Sequence, residues 1–492
     1  MELAWQYILD FFKAFGEWFI APWNPMGNPL KDFIKGNPDG GAWAIVIVFW
    51  AISLLFLIGI IWLIVWLIRR HLRFSKKEID KEELQDTVYS LQNEVEHITE
   101  ERDELRNKLY KVAAEGGAEI TEDEALAKAR FQMLMTVDRH YANGIAKCEY
   151  KDPEDANITL DKLCERFRNF ASSQMHLYYT LPVVQALFAA MGSSKLIILE
   201  GISGTGKTSL PYALGRFFEH NAVICPVQPS WRDRTELIGF YNEFTHKFTE
   251  TEFLRAMYEA SYREDINYIV LDEMNLARIE YYFAELLSLL EIPNHAEWEL
   301  GVIASSRADD PKHLHEGRLL VPENIWFVGT ANNDDSTFTI TDKVYDRAMS
   351  IFFDNKGIPF EAPFTTSMHL PAKKFDELCD QARKEHPVSA ETLEKFAELD
   401  DFVIANFRLA FGNRIMKQIN AFVPCYVACG GTELDGMDYI FESKILKKFE
   451  VLNVGFLKDE LAGLEAKLSE LFGEDQFLKS KGKIRRLLKQ GM

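Results

Sequence analysis

The chain has 492 residues, 47% apolar and 26% charged, which is the composition of a globular protein with room for several cores and not of a disordered or collagenous one. It carries 55 basic residues against 75 acidic ones, a net charge of −20, which argues against holding nucleic acid by bulk charge, since that needs basic side chains to neutralise phosphates. Six cysteines without a CxxC pair exclude a disulfide scaffold and a zinc ribbon; Cys425 and Cys429, one helical turn apart, read as small buried apolar residues.

Residues 1–41 open with the aromatic, roughly amphipathic stretch Leu3 to Ile20, expected to lie in a membrane interface or to pack as a small helix. Residues 42–68 read AWAIVIVFWAISLLFLIGIIWLIVWLI, 27 residues without a charge. At ~1.5 Å per residue they exceed the roughly 30 Å hydrocarbon core, so a transmembrane helix is expected. Arg69, Arg70, Arg73, Lys76 and Lys77 follow it, whereas residues 1–41 hold three lysines against five acids. The positive-inside rule then places the N-terminus outside and the rest in the cytoplasm, a single-pass protein of the cell (inner) membrane. Within 69–115, behind this basic flank, Leu84, Val88, Leu91, Val95, Ile98, Arg102, Leu105, Leu109 and Val112 alternate spacings of four and three. That is a heptad seam, expected as a coiled coil about 43 Å long and compatible with a parallel dimer. Residues 116–160 read as a helical connector or a small helical subdomain leading into the next unit.

The chemistry is concentrated in 161–360. LIILE (196–200) is a short apolar run suited to a buried parallel strand, GISGTGKT follows at 201–208, and SLPYALGRFFE then reads as a helix. Strand, glycine-rich loop and helix are the setting of a phosphate-binding loop. Gly201, Ile202, Ser203, Gly204, Thr205 and Gly206 would turn backbone N–H groups toward phosphates. Lys207 can reach the β- and γ-phosphates, and the Thr208 hydroxyl can ligate Mg²⁺. YIVLDEMN (268–275) is a second apolar strand; it ends in Asp272, suited to the Mg²⁺ shell, and Glu273, suited to polarising a water. WFVGTANNDD (326–335) ends a third strand in polar residues including Asn332, whose amide can orient that water. TDKVYDRAMSIFF and FGNRIMKQINAF supply Arg347 and Arg414, each of which is otherwise a solvated surface residue. Strands alternating with helices predict an α/β fold with a doubly wound parallel sheet, the nucleotide at the carboxyl ends of its strands. Residues 361–492 are expected as a helical lid. Leu237, Gly239, Phe240 and Tyr241 fit a substrate-gripping aromatic loop and a core segment equally.

These elements, in this order, resemble the AAA+ ATPases, in particular the McrB-like branch, over about residues 160–455. PSWRDRTELIGFYN (229–242), LDEMNLARIEYYFAELLSLLE (271–291) and NIWFVGTANNDDSTFTITDKVYDRA (324–348) carry the likeness. The resemblance implies that Lys207 and Thr208 are the Walker A pair, Asp272 and Glu273 the Walker B pair and Asn332 sensor 1. It also implies that Arg347 is an arginine finger given to a neighbouring subunit, that Arg414 is sensor 2, and that the chains form a ring, as a hexamer. The Asn-Thr-x-Asp signature of the branch is met here by Asn332, Asn333, Asp334 and Asp335; the outer residues match and the Thr does not. ATP with Mg²⁺ is therefore the expected nucleotide and GTP the alternative.

Three functions follow from the sequence. The first is a membrane-tethered ATPase remodelling a protein or complex at the cytoplasmic face. The second is a nucleotide-driven motor of a restriction or anti-phage system, acting with a separate nuclease. The third is a slow nucleotide switch clustered by its coiled coil. Acidity and the anchor count against the second, and only the basic residues Lys479, Lys481, Lys483, Arg485, Arg486 and Lys489 favour nucleic acid locally.

Overall fold

The computed structural model describes Trp62 and residues 126–490, apart from 203, 333–336, 354–356 and 452–455. The expected amphipathic segment 1–41, span 42–68, flank and coiled coil 69–115 and the start of the connector thus lie outside the described residues, Trp62 apart. Among the described residues no helix is long and apolar enough to cross a membrane.

Helices of eight residues or more are numbered in chain order. Helices α1 (Gln132–His140), α2 (Leu160–Met175) and α3 (Leu181–Ser193) lead to strand β1 (Leu196–Gly201), and α4 (Ser209–Phe217) leaves it. Next come β2 (Val223–Pro226), β3 (Gly239–Asn242), β4 (Lys247–Glu250), α5 (Glu252–Ala260) and β5 (Asn267–Asp272). Short strands β6 (Glu299–Gly301), β7 (Leu314–His315) and β8 (Arg318–Leu320) precede β9 (Ile325–Asn332) and β10 (Met349–Phe353). The chain ends in α6 (Ala372–Glu385), α7 (Ala390–Phe407), α8 (Asn413–Ala428), α9 (Glu433–Ile440), α10 (Lys458–Phe472) and α11 (Leu478–Gln490).

Five strands form one parallel sheet in the order β10-β1-β9-β5-β2. Their near-continuous apolar sequences suit strands buried on both faces. Ile197 and Leu199 of β1 face a core shared with α2, α3, α4 and the C-terminal helices. Leu196 and Ile198 face a second core with α1 and α5. Helices on both faces of a parallel sheet are the α/β arrangement expected from the sequence. Gly329 interrupts the large residues of β9 for a steric reason: a Cβ there would lie 1.9 Å from the Met274 sulfur. Its absence lets the turn after β5 press onto β9.

Two features depart from the expectation. Residues 129–146 are built into the second core instead of serving as a connector. Phe131 stacks on Phe248 with ring centroids 4.9 Å apart. Arg130, 3% exposed, pairs with Asp310 at 2.5 Å. Buried Asp138 accepts from the Tyr258 and Tyr262 hydroxyls at 2.5 and 2.6 Å and from the Lys312 N–H at 2.9 Å. In addition, an antiparallel β3–β4 hairpin and a small β6-β8-β7 sheet stand outside the main sheet. In the hairpin segment Leu237 is buried, Phe240 half-exposed, and Phe244 at the tip 97% exposed. In the C-terminal helices α8 packs against α3, α6 and α9. Cys164, Cys379, Cys425 and Cys429 are buried in the core these helices form, Cys225 is buried in β2, and Cys148 is half-buried; all six thiols are free.

Candidate functional site

Three adjacent strands, β1, β9 and β5, deliver the expected residues to the carboxyl end of the sheet. The register pairs Gly201 with Asn332, so the loop leaving β1 begins beside the end of β9. Gly204 and Gly206 stand at φ +80° and +93°, a left-handed backbone that favours glycine and lets the loop curl. The loop enters α4, whose N-terminus favours an anion. Lys207, 6% exposed, donates its ammonium to the carbonyls of Gly201 (2.9 Å) and Ile202 (2.8 Å), which folds it back over the loop.

A chain of hydrogen bonds joins the loop to the other two strands. The Thr208 hydroxyl donates to Asp272 Oδ1 at 2.9 Å. The Thr330 hydroxyl donates to the same oxygen at 2.7 Å and accepts the Glu273 N–H at 2.8 Å. Glu273 itself stands at φ +52°, a left-handed conformation rare for a side-chain-bearing residue. Its carboxylate is thereby turned out of line with Asp272 and toward Asn332, whose amide donates to Glu273 Oε1 at 3.4 Å. Asn275 fixes the end of β9 in turn, donating to the Asn332 carbonyl at 2.8 Å. A hydroxyl beside a carboxylate is a hard-oxygen set of the kind Mg²⁺ takes, so Thr208 and Asp272 fit that ion. The sequence reading missed Thr330 and Asn275. Thr330 lies two residues before Asn332, on the same face of the strand, and strand alternation alone would have flagged it.

Glu200, the last buried residue of β1, ties this end to the rest of the domain. Its Oε2 accepts from the Tyr345 hydroxyl and the Lys447 ammonium, both at 3.0 Å. Lys444 donates to the Tyr345 carbonyl at 2.7 Å, and complete burial pushes its pKa down to about 7.

Arg347 and Arg414 are brought together, but elsewhere. The Arg347 carbonyl accepts from the Ser194 hydroxyl at 2.9 Å, just before β1 begins. The loop lies after β1 ends, so the two are separated by the height of the strand, roughly 16 Å at ~3.3 Å per residue. Arg347 pairs with Glu291 at 2.8 Å, and Arg414 contacts the same Glu291 oxygen and Asp346 Oδ2 at 3.4 Å. Both line a cleft of about 670 Å³ with Lys195, Arg383 and Lys417. Burial pushes the Lys195 pKa down to about 8, against the pull of Asp376 and Glu323. Sequence spacing gave no sign that the two arginines share one carboxylate.

A second cleft, about 540 Å³, opens beside Thr205 at the loop end of the sheet, between Tyr178–Val183, Phe353 and the C-terminal residues Tyr439, Glu442 and Arg486. The C-terminal basic residues are largely engaged within the chain. Lys481 donates to the Gly473 and Glu474 carbonyls, and Lys479 lies over the Tyr439 ring. Lys483, Arg485 and Arg486 pair with Glu450, Glu465 and Glu442.

Comparison with protein-family profiles finds no match. Over 195 residues the chain is 24% identical to the EcoKMcrB subunit of a type IV methyl-directed restriction enzyme of Escherichia coli (strain K12). The match covers 38% of this chain and 40% of that protein, so the chain spans less than half the length of this relative. A candidate ATPase from Cytophaga hutchinsonii is 14% identical with a TM-score of 0.41, covering 59% of this chain and 87% of that one. A full-length MCM homologue from Methanopyrus kandleri is 11% identical with a TM-score of 0.33, covering 60% of this chain and 61% of that one. Neither score reaches 0.5, and the fold assignment rests on the strand order and register above.

Proposed function

We propose that the chain is a nucleoside triphosphatase of the McrB-like AAA+ kind, using ATP, with GTP the alternative, and completing its active site between copies of itself. The observation that carries the hydrolytic part is the chain of contacts from Thr208 through Asp272 and Thr330 to Glu273 and Asn332. In this reading the loop N–H groups and Lys207 hold the phosphates, Lys207 leaving its loop carbonyls as they arrive. Thr208 and Asp272 would hold Mg²⁺, which neutralises charge on the phosphates. Glu273 accepts a proton from the attacking water, and Asn332 keeps carboxylate and water aligned. The cleft beside Thr205 is close enough to the loop to take the base. Arg347 and Arg414 stand a strand's height from that loop. They would therefore meet the nucleotide of a neighbouring copy, and a head-to-tail ring supplies one such contact per chain.

By this proposal the N-terminal span and coiled coil tether the ring to the cell membrane and hold copies close, raising their effective concentration. The work done is remodelling of a protein or complex at the cytoplasmic face. The similarity to a restriction-enzyme subunit favours a second reading, a motor that acts with a separately encoded nuclease. Nucleic-acid-stimulated hydrolysis would favour that second reading.

The test is complementation. Lys207→Ala and Arg347→Ala should each be inactive alone. In an equal mixture roughly one interface in four combines an intact loop with an intact arginine, so about a quarter of the wild-type rate should return. Arg347→Ala that hydrolyses at the wild-type rate, independent of protein concentration, would remove the shared site.

A further inference from the structure

We propose that Glu291 is an internal stand-in for phosphate, a latch that occupies Arg347 and Arg414 until a second copy of this chain brings its nucleotide into the cleft. The inference rests on the shared-site reading above.

One oxygen, Glu291 Oε1, serves both guanidinium groups, Arg347 at 2.8 Å and Arg414 in a shorter contact. A carboxylate gripped by two converging arginines has the geometry in which such groups hold a phosphoryl oxygen. The rest of the cleft is cationic as well: Lys195, Arg383 and Lys417 line it against Asp346 and Asp376. The Arg347 Nη1 also donates to the Lys343 carbonyl, while its buried Nε has no hydrogen-bond partner among the described residues.

The position of Glu291 in the chain also suits a latch. It lies on the turn after the short helix Ala284–Leu289, where its N–H donates to the Ser288 carbonyl at 3.2 Å. The same segment begins at Glu273, and its course is pinned by the Tyr282 hydroxyl on the Met274 carbonyl at 2.8 Å. Its two ends are the water-facing carboxylate of one site and the arginine-holding carboxylate of the next. The Glu291 side chain is 33% exposed, so the pairs are partly solvated and weak enough for a triphosphate to displace.

The test measures hydrolysis by the full-length protein against its own concentration. Glu291→Gln keeps the shape and removes the charge that competes with phosphate. It should lower the protein concentration for half-maximal activity about 3- to 10-fold, the worth of one or two partly exposed ion pairs. The plateau rate per chain should not change. Glu291→Asp, which withdraws the carboxylate by one methylene, should move the midpoint the same way by less. Adding Arg347→Ala should abolish activity with or without Glu291→Gln. An unchanged midpoint would overturn the latch and leave the shared site standing. A fallen plateau would make Glu291 a positioning residue of the assembled site, and failure of both variants to fold would make it structural; either result overturns the latch. Concentration-independent activity of Arg347→Ala would instead overturn the shared site on which it rests.

Discussion

Thr330→Val isolates one hydroxyl at the junction of the two acidic residues. Thr330 is 2% exposed, and valine fits the same space with the same branching. What is lost is the bond to Asp272 Oδ1 at 2.7 Å and the acceptor for the Glu273 N–H at 2.8 Å. A hydrogen bond to a charged group contributes about 1.5–3 kcal/mol, and an unsatisfied buried N–H costs about 1–3 kcal/mol. Glu273 also stands in a left-handed conformation that costs roughly 1–2 kcal/mol to hold. Deprived of its anchor, this residue should relax and carry its carboxylate away from Asn332. If about 1.4–2.8 kcal/mol of that loss reaches the transition state, kcat falls about 10- to 100-fold. Nucleotide affinity should change less than about 3-fold, because Lys207 and the loop are untouched, which keeps the effect out of ground-state binding. Steady-state hydrolysis at saturating Mg²⁺-nucleotide, with binding measured separately, reads both quantities. Thr330→Ser, which keeps the hydroxyl, should stay within about 3-fold of wild type. A Thr330→Val protein with wild-type kcat would refute the claim that this hydroxyl sets the geometry of Glu273.

Glu273→Gln should keep nucleotide binding and lose about 100-fold or more in turnover, the scale for losing a general base; Lys207→Ala should lose binding itself, and equilibrium binding beside hydrolysis separates the two. Asp138→Ala leaves two buried tyrosine hydroxyls and the Lys312 N–H without their acceptor, so chemical denaturation should show a loss of about 2–4 kcal/mol with hydrolysis per folded chain retained.

The parts of the fold that were legible in sequence are those whose cause is local. The apolar runs of β1, β5 and β9 end in the residues that carry chemistry, and the glycines between 201 and 206 need a turn wherever they stand. The hairpin and the β6-β8-β7 sheet were not legible, because strands of two to four residues leave too few positions for alternation to register. Nor was the docking of 129–146, whose cause is a set of partners more than a hundred residues away, such as Tyr258 for Asp138 and Asp310 for Arg130. The site shows the same division. Lys207, Thr208, Asp272, Glu273 and Asn332 sit at ends of elements that the pattern marks. Thr330 sits inside a strand that reads as apolar, where its shared face with Asn332 is the one mark it carries. Glu291 looks like any charged residue on a turn until the fold sets two arginines on it.

The placement of the thiols makes the chain its own reporter of local opening. A thiol reagent reacts with the thiolate, and burial, then the charges of Asp265 and Glu264, push the pKa of Cys148 up to about 12 against the pull of Arg263. The other five thiols are buried outright. Alkylation at neutral pH therefore waits on excursions that expose sulfur. Cys379, Cys425 and Cys429 lie on or at the end of C-terminal helices, Cys164 lies on α2 in the same core, and Cys225 lies in the edge strand β2, so mass-resolved labelling of the unmodified protein times the loosening of that core separately from that of the sheet edge.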